Sequence, residues 1–155
     1  MQRKHSWPED LHAFIEARKR EPFCWGKNDC CIFTADAIEA MTGVDVAADY
    51  RHLSYSDEAG AFAALHSVTG GQTVEDAATY AANKYGMKLL PSVLFAQRGD
   101  LVLFDQATVS GNAALPAAGA QALGIVNHNG KHALFVSTRG VARVPVKSCT
   151  KAWRV

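Results

Sequence analysis

The residues with the most chemical potential in this 155-residue chain lie in the run Trp25-Gly26-Lys27-Asn28-Asp29-Cys30-Cys31-Ile32-Phe33. Asn28 and Asp29 are both helix-capping residue types, and Ile32, Phe33, Ala37, Ile38 and Met41 follow at the spacing of one buried helical face. A helix is therefore expected from Asp29 to about Thr42, with Gly43 as the residue that closes it. Cys30 falls in its first turn, where unpaired backbone N–H groups and the positive end of the helix dipole favour thiolate over thiol. That placement makes Cys30 a candidate nucleophile. The competing reading is a buried, inert cysteine, because free cysteine packs like a small hydrophobe.

Four cysteines, Cys24, Cys30, Cys31 and Cys149, also raise disulfide and metal readings. Zinc sites use cysteine pairs two to four residues apart, joined by a second pair or by histidines. Five residues separate Cys24 from Cys30, and the adjacent Cys30 and Cys31 point in different directions on any regular element, so no metal is expected. No cofactor is expected either. Gly70-Gly71 terminates a helix and is not followed by the Lys-Ser/Thr of a phosphate loop.

Composition narrows the class further. One domain spanning 1–155 is the expectation for this length, and 48% hydrophobic residues suffice for a core without staples. Charged residues make up 20% and leave a net charge of +1, which lacks the basic field that nucleic acid requires. The start MQRKHSWPED has no apolar run behind its positive charges, and no stretch approaches the roughly 18 apolar residues of a membrane span. The expectation is a cytoplasmic or virion-associated protein with no membrane contact.

The elements that must position Cys30 come in a definite order. Ser6-Trp7-Pro8-Glu9 reads as a capping box before a helix from about Trp7 to Arg20, with Leu11, Phe14, Ile15 and Arg18 on one face. Ser56 is expected to cap a helix through about His66, with Gly70-Gly71 as its break. Thr73 with Asp76 opens another, Val74 to about Tyr85, stopped at Gly86. From Met87 the pattern changes to short runs rich in β-branched and aromatic residues, the mark of strands. These are 101–104, 123–126, 133–136, 141–146 and 152–155, with Asn129-Gly130 as a hairpin signal. The Ala- and Gly-rich segment from Asp105 to Gln121 reads as a mobile insertion. Helices first and strands after argue for α+β, with N-terminal helices packed on a small antiparallel sheet or half-barrel.

The Trp25–Phe33 run, the later Arg98-Gly99-Asp100-Leu101-Val102-Leu103-Phe104, then Ala122-Leu123-Gly124-Ile125-Val126, and the tail Cys149 to Val155 together resemble the papain-like NlpC/P60 cysteine peptidases, in a branch found in bacteria and phages. In that family an Asp-Cys pair begins the nucleophile helix, a Gly-Asp-Leu-Val strand follows, and a His-Val-Gly-Ile strand supplies the base. The resemblance implies that Cys30 is the nucleophile equivalent and that Asp29 and Asp100 are structural. It places the base position on Ala122. The third, orienting position falls near Val136 or Ser137, without the usual His, Asn or Gln. Trp25, Asn28, Asp29 and Ala122 become candidates to line the site, although Trp7, Trp25 and Trp153 equally suit a core.

Alanine accepts no proton, and an unassisted thiol is only a few per cent thiolate at neutral pH. Among the histidines, His128 and His132 flank the expected hairpin tip, and the six residues from Ala122 to His128 span roughly 20 Å at strand rise. They read as solvated turn residues. His5, His12, His52 and His66 lie on or near helices, with His52 the freest. Two functions stay open: a hydrolase in which the Cys30 thiolate attacks an amide of peptidoglycan peptide, and a catalytically silent copy of the fold kept for binding or assembly, with phage-tail proteins as partners. Ala122 favours the second.

Overall fold

Pro8 in the first turn and Glu9 and Asp10 beside it suit the start of α1 (Trp7–Arg18). The expected capping box does not form. The Ser6 backbone sits at φ −86°, ψ 11°, outside the extended region a cap needs, and its hydroxyl instead donates to Asp10 Oδ2 at 2.9 Å. The helix also ends two residues before the expected Arg20. α2 (Cys30–Thr42) follows the sequence closely: extended Asp29 caps it, and Gly43 closes it in the left-handed region at φ 77°. α3 (Glu58–Thr69) is capped by Asp57, not by Ser56, because the Asp57 carboxylate reaches the Gly60 N–H. In α4 (Val74–Tyr85) the Thr73 and Asp76 capping box is complete.

The computed structural model describes residues 1–105 and 121–155. The segment read as a mobile insertion, 106–120, lies outside the described residues. Asp105 and Gln121, expected at its ends, are instead paired strand residues. After the helices come β1 (Lys88–Leu89), β2 (Leu101–Asp105), β3 (Gln121–Val126), β4 (His132–Ser137), β5 (Gly140–Pro145) and β6 (Lys151–Arg154). They make one open antiparallel sheet in the order β1-β6-β2-β3-β4-β5. The protein is thus α+β, with N-terminal helices packed on a six-stranded antiparallel sheet. The expected last strand pair is corrected slightly: Val146–Ser148 forms a 3₁₀ turn between β5 and β6.

Central strands carry near-continuous apolar runs because both of their faces are covered. Leu101 through Phe104 and Ala122 through Val126 are all buried. α2 and α4 both pack on β3, and α1 packs on α2 through Phe14 and Phe33, whose rings lie 5.4 Å apart. α2 is the central helix. Phe33, Ile38 and Met41 are essentially fully buried, and each contributes about 1.5–3 kcal/mol relative to exposure. Gly124 marks a close approach between β3 and β4, where a Cβ would stand 2.5 Å from the Phe135 ring and 2.6 Å from the Leu134 carbonyl oxygen.

Asp100 ties the two ends of the chain to this core. Its side chain is fully buried and accepts from Arg3 Nη2 at 2.7 Å, Arg154 Nε at 2.9 Å and the Gln97 N–H at 2.8 Å. The Arg98-Gly99-Asp100 run is a turn ahead of β2, closed by the Asp100 N–H on the Gln97 carbonyl. Among the described residues no helix is long and apolar enough to cross a membrane.

Candidate functional site

A tight loop delivers the chain to Cys30. Cys24 and Asn28 pair across it, with the Asn28 N–H on the Cys24 carbonyl at 2.8 Å, and Gly26 sits at the tip with φ 70°. Glycine is required there twice over, since a Cβ would also lie 2.5 Å from the Tyr55 carbonyl oxygen. Asn28 holds the loop from behind. Its buried amide donates to the carbonyls of Glu21 (3.2 Å) and Pro22 (3.0 Å) and accepts from Arg18 Nη1 (3.1 Å). Arg18 continues to Asp36 on α2 at 2.8 Å, so the end of α1, the loop and α2 are stapled together. The Phe23 N–H reaches the Ser137 carbonyl at 2.8 Å, which fixes the loop against the end of β4.

Asp29 is the pivot of the site. Its Oδ1 accepts the Cys31 and Ile32 N–H groups at 3.1 and 3.0 Å, and its Oδ2 accepts the Gly26 N–H at 2.9 Å and the Tyr55 hydroxyl at 2.7 Å. The carboxylate is 3% exposed, and these four neutral donors together with the helix N-terminus hold it. Two of the N–H groups that could have favoured a thiolate are therefore engaged by a carboxylate. The Tyr55 phenol is raised above its ordinary value by burial and by the charge and hydrogen bond of Asp29.

Cys30 is 5% exposed and lines an apolar cavity of about 70 Å³ with Trp25, Asp29, Cys31, Tyr50 and Tyr55 and aliphatic side chains of α2, α3 and α4. The Cys31 thiol is held well above its ordinary value, first by its hydrogen bond with the Cys30 sulfur, then by burial, with the Asp29 charge adding to both. Cys24, Cys30, Cys31 and Cys149 are all free thiols, with Cys24 exposed and Cys149 buried.

Among the described residues no imidazole lines this cavity. His5, His12, His52, His66 and His128 are exposed, and His132 is half-buried at the start of β4. His128 stands edge-on to His12 with ring centroids 5.9 Å apart, His66 lies by the Gly71 carbonyl, and His132 by the Asn129 amide. Ala122 is buried on β3 opposite Phe104, and its neighbour Leu123, not Ala122 itself, contributes to the cavity wall. Ser137 uses its hydroxyl on the Gly140 carbonyl at 2.6 Å, within the β4–β5 turn.

Of the candidates read from the sequence, Cys30, Trp25 and Asp29 come together at the cavity, Asn28 supports the loop from the far side, and Ala122 sits within the sheet. Tyr50 and Tyr55 are the residues that sequence reasoning missed. Both belong to the segment between α2 and α3, which carries no apolar period, and Tyr55 meets Asp29 across 26 positions of chain. A pair of tyrosines in an irregular stretch between two helices was the one available signal, and it is weak.

A family model described as a domain of unknown function (DUF6950) matches residues 2–155. No curated protein matches the chain.

Proposed function

We propose, for a chain that belongs to the family described as a domain of unknown function (DUF6950), that it is a binding or assembly module built on an NlpC/P60-like, papain-type scaffold whose thiol no longer catalyses. The observation that carries this reading is the surroundings of Cys30. Its sulfur is buried against an apolar cavity, and no imidazole of the described residues lines that cavity. Cysteine catalysis needs a general base within hydrogen-bond reach of the sulfur or a strongly activated thiolate. The carboxylate beside Cys30 is committed to four donors. The partner classes that follow from the resemblance are a phage-tail protein or a peptidoglycan peptide held without cleavage.

Thiol reactivity tests the reading directly. Iodoacetamide labelling of Cys30, assigned by comparison with Cys30→Ala, should be slow at neutral pH and rise only in the alkaline range. A fast reaction that persists well below the ordinary thiol range would establish an activated nucleophile and overturn the silent module.

A further inference from the structure

The outer strand β1 and the 3₁₀ turn that follows it, Val93–Phe95, carry the large hydrophobic side chains that stand exposed among the described residues. Leu89, Leu94 and Phe95 are 58%, 76% and 60% exposed. Apolar side chains scattered singly over a surface are ordinary, whereas three in one short stretch point to a contact. Phe95 is held next to the sheet edge, since its carbonyl accepts from Arg154 Nη2 at 2.9 Å and Arg154 is the strand partner of Lys88. The edge also has unused backbone. The Leu90 N–H reaches the Ala152 carbonyl at 2.8 Å, so by antiparallel alternation the Leu89 N–H and C=O point away from β6, and no hydrogen bond among the described residues uses either.

The charge around this edge is one-sided. Arg3 and Arg154 share a single buried carboxylate, Asp100, while Lys88 and Arg98 form no ion pair among the described residues. Trp7 gathers Arg98 into the group, its ring lying 4.5 Å from the Arg3 guanidinium carbon and 5.5 Å from that of Arg98. Four cations thus face one carboxylate, in a chain whose net charge is only +1. Lys88 also stands directly opposite Arg154 in the ladder, a like-charge pair that is destabilising by itself and is relieved by an anion beside it.

We infer that this edge receives an extended, acidic segment of another protein as an added outer strand. Its backbone pairs with Leu89, its apolar side chains cover Leu89, Leu94 and Phe95, and its carboxylates lie by Lys88, Arg98 and Arg154. A second copy of this chain would set the same cations against each other. An anionic lipid surface would strip water from the Leu89 N–H and C=O and offer neither a partner, which is costly. No residue of this surface lines the Cys30 cavity, so the inference goes beyond the silent-thiol reading and stands or falls apart from it.

The experiment titrates the full chain with the capped peptide Glu-Leu-Glu-Leu-Glu-Leu-Glu at millimolar concentration, followed by backbone amide spectra. Saturable shifts at Leu89, Leu94 and Phe95 are expected, with slower solvent exchange of the Leu89 amide. Affinity should be about tenfold weaker in the double variant Lys88→Glu/Arg98→Glu and should fall with added salt. Both side chains are exposed and without ion pairs, so that variant should melt close to the parent. Equal affinity in the double variant, equal binding of the counterpart Lys-Leu-Lys-Leu-Lys-Leu-Lys, or shifts that spare Leu89 would each overturn the proposal. So would the absence of saturable shifts with the acidic peptide; vesicles containing phosphatidylserine, run alongside, show whether the surface is then a lipid contact. None of these readouts involves Cys30, whose labelling rate tests the silent thiol separately.

Discussion

Replacing Asp29 with alanine tests whether one carboxylate organises the region around Cys30. Four donors lose their acceptor at once: the N–H groups of Cys31, Ile32 and Gly26, and the Tyr55 hydroxyl. Loss of an N-cap costs about 1 kcal/mol. The Gly26 and Tyr55 donors are part-buried, and leaving them unmatched adds about 1–3 kcal/mol between them after water reaches one or both. The expected total is about 3 kcal/mol by urea unfolding, which for a domain of this size lowers Tm by roughly 6–12 °C. Asp29→Asn should cost about half as much, because its carbonyl oxygen still accepts from the helix while its NH₂ meets the Gly26 N–H donor to donor. Tyr55→Phe supplies the second leg of a double-mutant cycle, with a coupling of about 1 kcal/mol expected between the two positions. A loss below about 0.5 kcal/mol in Asp29→Ala, or strict additivity with Tyr55→Phe, would refute the claim that Asp29 joins the loop, the helix and the Tyr55 segment.

Asp100→Asn should cost about 1.5–3 kcal/mol, because it takes the counter-charge from Arg3 and Arg154, whose guanidinium groups keep access to water; urea unfolding followed by tryptophan fluorescence measures it. Burial pushes the Cys149 thiol up to about 12. A raised value in the folded state means that the stabilising contribution is complete below the ordinary thiol range and is lost as pH climbs from there toward about 12. Cys149→Ala should therefore flatten the alkaline fall in stability over that window relative to the parent, as read from Tm against pH.

Features governed by a few neighbouring residues were legible before any fold was known. A cap at Asn28 or Asp29, Gly43 as terminator, the Thr73 and Asp76 box and the Leu101–Phe104 strand all rest on local hydrogen bonding or on the period of apolar residues, and the structure chooses Asp29. Ser6 and Glu9 show the limit of such a pattern, since the same residue spacing fails when the backbone at Ser6 is not extended. The two-residue β1 carries no period at all and exists only because β6 pairs with it.

The character of the thiol belonged to neither level alone. Its place at the start of α2 is written in Asp29-Cys30 and the apolar face that follows, because a cap and a helix turn are built from adjacent residues. Its enclosure is not. Tyr50 and Tyr55 come from an irregular segment, and α3 and α4 cover the same space from far along the chain. Which side chains surround a sulfur, and whether an imidazole is among them, depends on contacts between distant elements, and those contacts are set by packing the helices onto the sheet as a whole.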